Sequence, residues 1–277
     1  MTTLYISDLD GTLLTSEGVL SDETVRGINA LLSQGVDFTF ATARTGSTAL
    51  PLTSKLNLRL PVILMNGVLI YDPAVREAVQ QWRLPPDVVP LLINLFEEQD
   101  APAFLYTMRQ GSHLHVYYKN ETAVMRSFRE ERQYKYGKPF HRVPSFSEVN
   151  GDEIVYFNLL APKETLDPLA AALAAYPVTV QYYRDVYLPD TWFLEIYHQA
   201  ASKGNALAHL REAYAYDKIV AFGDNYNDLS LFEEADERVA VTNAVEELKQ
   251  AADLIIGSNN DDSVARFMRE HIKKGRE

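Results

Sequence analysis

Two stretches with the same strand-and-helix pattern, separated by a stretch of a different kind, constrain the fold of this chain most. From the N-terminus, short apolar runs alternate with helical periodicities. Leu4-Tyr5-Ile6 reads as a strand, and Ser21 opens a helix with Asp22 and Glu23 in its first turn. Val25, Ile28, Leu31 and Leu32 share one face of that helix, and Gly35 closes it. A strand over 36–41, a helix over 47–56 weakened by Pro51, and a buried strand over 62–65 follow. Strand–helix–strand alternation demands right-handed crossovers and so a parallel sheet. The pattern stops near Pro85-Pro86. Strands over 103–107 and 113–118, joined by a Gln110-Gly111-Ser112 turn, precede a charged helix over 123–134. A strand over 154–160, a helix over 166–175 and strands over 178–183 and 192–197 complete this stretch. Such hairpin-like spacing predicts an antiparallel or mixed sheet with helices on one face. The first pattern then resumes: a helix over 204–214, a buried strand over 219–222, a helix over 228–235, short strands over 239–241 and 254–256, and a solvated amphipathic helix over 266–274. The expected plan is one α/β domain, residues 1–83 with 198–277, split by an α+β domain of residues 84–197.

Chemistry gathers where those strands end. In a parallel sheet, ligands bind outside the carboxyl ends of the strands. Asp8-Leu9-Asp10-Gly11-Thr12 follows the first strand, and a period of two puts both carboxylates on one side of an extended chain. Two carboxylates so placed repel unless a cation joins them or one is protonated. Gly11 allows a tight turn that offers N–H groups to an anion. Gly223-Asp224-Asn225-Tyr226-Asn227-Asp228 follows another apolar strand, where Asp224 is placed to join Asp8 on a hard cation. An N-cap accounts for Asp228 alone but not for four such residues in six. Thr42-Ala43-Arg44 sets a hydroxyl and a guanidinium at a third strand end, a pair suited to phosphate. Lys203 at a helix start opposes the helix dipole, which an anionic partner would resolve.

Taken together, Asp8-x-Asp10-Gly11-Thr12, Thr42, Lys203 and Gly223-Asp224-x-x-Asn227-Asp228 resemble the motifs of the haloacid dehalogenase-like hydrolases, in the same order. Met65-Asn66-Gly67-Val68, Leu194-Glu195-Ile196 ahead of Ser202-Lys203-Gly204, and Val241-Thr242-Asn243-Ala244 resemble the Cof-like sugar-phosphatase subfamily in particular. Ala43 and Ser263 stand where that subfamily usually has glycine. The resemblance implies a Rossmann-like core with a large inserted cap acting as a lid, and a phosphatase that uses an aspartyl-phosphate. It makes Asp8 the nucleophile and Asp10 the acid and base, with Mg²⁺ on Asp8, the Asp10 carbonyl and Asp224. Lys203, Thr42 and the backbone around Leu9–Gly11 and Ala43 would hold the phosphoryl oxygens. Asp228 would orient Lys203 or a metal-bound water; Arg44, Asn66 and Asn227 would face the substrate. Aspartate at position 10, where related ion pumps carry threonine, argues for transfer to water or a sugar hydroxyl. A phosphomutase and a catalytically silent sugar-phosphate sensor are the alternatives.

Composition narrows the partners. The 277 residues contain no cysteine, which removes disulfides and a thiol nucleophile. A net charge of −12 repels nucleic-acid backbones. No apolar run long enough to span a membrane and no signal peptide is evident, so a cytoplasmic location is expected. The expected partner is a small phosphate ester, with oligomeric state open. His113-x-His115 puts two imidazoles on one strand face without a third zinc ligand, and the cap tyrosines read as strand and core residues.

Overall fold

The computed structural model describes residues 2–109, 113–184 and 190–274. The chain divides into two compact units, Met1–Gln80 with Ser202–Glu277, and Gln81–Ala201.

The first unit is built on a five-stranded, wholly parallel sheet. Its order is Leu254–Ile256, Glu237–Val241, Lys218–Gly223, Thr3–Ser7, Asp37–Phe40. Thr3–Ser7 therefore lies between a strand that follows it closely in sequence and one from the far end of the chain. Sheet order reverses at this point, which is where ligands bind in such sheets. Leu4, Ile6, Val220, Ala221 and Phe222 are fully buried, as strands covered on both faces require. The helix Asp22–Ser33 begins where Ser21 accepts the Thr24 N–H at 2.9 Å, and it buries Ile28, Leu31 and Leu32. A parallel bridge between Ala41 and Ile63 appends a second, three-stranded sheet, ordered Val62–Leu64, Leu69–Asp72, Glu77–Gln81. The last two strands were not expected from the sequence.

The second unit is a mixed six-stranded sheet, ordered Val178–Arg184, Trp192–His198, Ile154–Ala161, Ala103–Arg109, His113–Tyr118, Phe140–Arg142. All pairs are antiparallel except the last, which is parallel. Helices cover both faces, not one as expected. Val89–Glu98 and Lys163–Leu173 pack on the face of Leu105, Phe157, Leu194 and Ile196. Ala123–Tyr136 covers the opposite face, where Phe128 stacks on Phe104 at 5.6 Å. Tyr182 and Tyr183 point to opposite faces: Tyr182 donates to Asp167 of the helix Lys163–Leu173, and Tyr183 donates to Glu195 on the other face. His115 pairs with His141 of the edge strand at 2.9 Å. The Gln110-Gly111-Ser112 turn lies outside the described residues. Among the described residues no helix is long and apolar enough to cross a membrane.

Candidate active site

The carboxyl ends of Thr3–Ser7 and Lys218–Gly223 lie side by side, and the buried acids collect there. Asp8 continues the ladder, donating its N–H to the Phe222 carbonyl at 2.9 Å, and its side chain is buried. The chain then leaves extended geometry in a tight turn over Leu9–Leu13, with Gly11 at φ +78°. A Cβ at Gly11 would strike the Asp224 carboxylate, so close approach as well as backbone conformation requires glycine here. Leu9 points into the core. Thr12 donates to Asp224 at 2.9 Å, and Asn243 donates to the Gly11 carbonyl at 2.7 Å.

Lys203 is 1% exposed, although it opens the helix Lys203–Tyr214. Ser202 caps that helix on the Asn205 N–H, so the lysine is left to reach inward. Its ammonium sits 2.5 Å from Asp8 Oδ1 and 2.7 Å from Asp228 Oδ1. Burial alone would push the ammonium down, but Asp228 and Asp8 outweigh it and hold it above the ordinary lysine range. Those two anions resolve the conflict with the helix dipole. Asp228 Oδ2 meanwhile accepts the Asp224 and Asn225 N–H groups at 3.0 and 3.1 Å.

Asp8, Asp224 and Asp228 present carboxylate oxygens within 4.8 Å of one another. Two buried carboxylates and a half-buried one, Asp224, face one ammonium, so negative charge is in excess. Burial lifts Asp8 well above the carboxylate range, against the pull of Lys203. Burial and then the Asp228 charge push Asp224 up to about 7. This donor set is all hard oxygen and short of positive charge, which fits a small divalent cation such as Mg²⁺.

Asp10 is placed differently from the extended-chain expectation. Its carboxylate is about half exposed and outside the group of three acids. It takes both prongs of the Arg44 guanidinium, Nε at 2.7 Å and Nη2 at 2.6 Å. Arg44, expected to face phosphate, is turned onto Asp10 instead. Thr42 is buried, and its hydroxyl accepts the Arg44 N–H at 3.1 Å. Ala43 is exposed and does not adopt a positive φ, so alanine fits without strain where glycine is usual. Met65, Asn66 and Gly67 are all left-handed, at φ +53°, +55° and +92°. The Asn66 N–H reaches the Thr42 carbonyl at 3.0 Å, and its side-chain oxygen accepts from Asn227 at 3.0 Å. Asn66 Nδ2 is buried without a hydrogen-bond partner. The site is thus two linked knots. Asp8, Lys203, Asp224 and Asp228 form one, and Asp10, Thr42, Arg44, Asn66 and Asn227 form the other.

Sequence reasoning did not assign Thr12 or Asn243 to the site. Thr12 is the fifth residue of the first motif, and Asn243 lies in a quoted motif, so both carried a signal. Asn259 carried none. It donates to the Leu14 carbonyl at 2.9 Å, and its N–H reaches Asn243 at 3.0 Å, steadying the loop behind Gly11.

Comparison with known proteins shows the family and the fold. A family model described as haloacid dehalogenase-like hydrolase matches residues 5–268. The pyridoxal phosphate phosphatase of Escherichia coli is 26% identical, over 98% of this chain and all of its own. A 5-amino-6-(5-phospho-D-ribitylamino)uracil phosphatase of Bacillus subtilis is 25% identical over 97% of each chain. The crystal structure of a Thermotoga maritima protein superposes with a TM-score of 0.81 at 29% identity, covering 98% of this chain and 97% of that one.

Proposed function

The chain belongs to the haloacid dehalogenase-like hydrolases, and from that premise we propose that it is a Mg²⁺-dependent phosphatase of small phosphorylated metabolites. The observation that carries this reading is the buried Asp8–Lys203–Asp228 chain beside Asp224 at adjacent strand ends. The two relatives named above, both phosphatases of small phosphomonoesters, support it.

In this reading Asp8 attacks phosphorus, and the bond from phosphorus to the leaving oxygen breaks. Asp10 gives its proton to that oxygen, then takes one from the water that attacks the aspartyl-phosphate. Orthophosphate leaves, and Asp8 is restored. Lys203 supplies a fixed positive charge against the nucleophile and the phosphoryl oxygens, with no reorganisation at the moment of reaction. Thr42 and the turn amides around Leu9–Gly11 and Ala43 are the remaining phosphoryl donors, and Asn66 and Asn227 face the substrate. Asp228 holds Lys203 in register. Mg²⁺, held by Asp8, the Asp10 carbonyl and Asp224, would neutralise the phosphate charge that otherwise repels a carboxylate nucleophile. We place the enzyme in the cytoplasm, where such esters are found.

The test is phosphate release from p-nitrophenyl phosphate with and without Mg²⁺. The parent protein turns over only with the metal, and Asp8→Asn gives no turnover above background. An Asp8→Asn protein as active as the parent removes the nucleophile assignment. Isomerisation of a hexose phosphate without free phosphate favours the phosphomutase instead.

A further inference from the structure

We propose that Arg44 is a positioning residue for Asp10, acting on the leaving group through that carboxylate and not as a phosphate contact. This rests on the phosphatase reading. The guanidinium meets the Asp10 carboxylate in a two-pronged fork, at 2.7 and 2.6 Å. A fork fixes the plane and direction of a carboxylate, which a single hydrogen bond does not.

Both ends of the fork are anchored. On the arginine side, the Arg44 N–H is held by the Thr42 hydroxyl at 3.1 Å, and its carbonyl accepts the Met65 N–H at 3.0 Å. On the aspartate side, Gly11 is left-handed and its carbonyl is held by Asn243 at 2.7 Å. The backbone that carries each partner is thus pinned a residue or less away. The positive charge in the acid cluster already comes from Lys203, which is bonded to Asp8 and Asp228. What Arg44 holds is the group that, in this mechanism, moves the proton.

The two roles differ in how they depend on the leaving group. As the phosphorus–oxygen bond breaks, the leaving oxygen takes the bonding pair. An alkoxide must then receive the Asp10 proton, whereas p-nitrophenolate is stable without one. A residue that acts through Asp10 therefore matters more for alkyl esters. A residue that grips the phosphoryl group, common to both, matters equally.

The experiment measures kcat/KM of the parent, Arg44→Ala, Arg44→Lys, Asp10→Asn and the Arg44→Ala/Asp10→Asn double variant. The substrates are p-nitrophenyl phosphate and glycerol 2-phosphate, with Mg²⁺. This ratio reports steps up to release of the leaving group, so later hydrolysis does not enter. The expected result is that Arg44→Ala loses at least about 10-fold more on the alkyl ester than on the aryl ester. Asp10→Asn shows the same selectivity, and the double variant is no worse than Asp10→Asn alone. Arg44→Lys keeps the charge but not the fork, so the selective loss persists. Equal losses on the two esters, additive losses in the double variant, or full recovery by Arg44→Lys would overturn the role. A fall from misfolding lowers both esters together and shows in the thermal unfolding curve. No turnover by the parent would overturn the phosphatase reading and this role with it, an outcome separate from equal losses in an active enzyme.

Discussion

At Asp228 one carboxylate does two jobs, one with each oxygen. Oδ2 caps the turn that follows Lys218–Gly223, and Oδ1 holds the buried Lys203. Removing it would leave an ammonium in the interior with a single short contact and two uncapped N–H groups. Asp228→Ala should therefore destabilise the fold by about 3–5 kcal/mol, read as a lower urea midpoint. Gly67 is constrained as tightly. It is left-handed, and a Cβ there would run into the Ser202 carbonyl at the start of the Lys203 helix. The kinds of residue at this site were legible because strand ends announce themselves: an apolar run stops and Asp, Gly or Thr follows. Their partners were not. Arg44 forks onto Asp10, and Asp10 lies outside the group formed by Asp8, Asp224 and Asp228, because both depend on how turns from separate segments meet. Sequence spacing along one strand carries no information about that meeting.

The C-terminal helix Ser263–Lys274 shows the same division for elements. Its amphipathic pattern was plain and its buried stripe is Val264, Ala265 and Met268, yet its anchor comes from side chains far apart in sequence. The Tyr5 hydroxyl lies 2.7 Å from His271 Nδ1, and His271 Nε2 lies 3.1 Å from Glu237. A neutral imidazole satisfies both, accepting from the phenol and donating to the carboxylate. Burial, then the Glu237 charge, pushes the phenol up to about 12, so it stays a donor. Tyr5→Phe should cost about 1 kcal/mol in urea unfolding and leave phosphatase kinetics unchanged, since the hydroxyl lies mid-strand. Elements with strong periodicity or full burial were readable. Three that were missed have specific reasons. Glu77–Gln81 is mostly polar and joins its sheet through the backbone, so no apolar alternation marks it. Phe140–Arg142 is three residues long, at an edge. Val89–Glu98 was hidden by its proline: Pro90 sits in the first turn, where its missing N–H costs nothing, but it reads as a breaker.

For the molecule as a whole, the net charge of −12 lies mostly on the surface, and the terms that shape its pH dependence in the second unit are buried. Glu195 faces the aromatic side of the sheet, accepting from Tyr183 at 3.1 Å. Burial pushes it up to about 7, against the pull of the Tyr156 and Tyr183 phenols. Lys138 lies over the Tyr106 ring at 4.6 Å, and burial, with Arg132 adding repulsion, pushes it down to about 7. The two work in opposite pH windows. An acid whose folded value is raised holds its proton longer in the folded state, so its contribution is lost as pH climbs from the ordinary glutamate range to 7. A lysine whose folded value is lowered is proton-poor when folded, so its contribution is regained as pH climbs from 7 toward the ordinary lysine range. Near pH 7 both buried charges cost stability together, and this pair places a minimum there. Glu195→Gln should remove the loss on the acid side, making the protein more stable than the parent at pH 8 by up to about 3 kcal/mol and little different at pH 4.5. Lys138→Met should remove the rise on the alkaline side. Urea unfolding of the full chain across pH 4.5–9.5 reads both. Identical pH profiles for parent and variants would mean that neither group is desolvated in the folded protein.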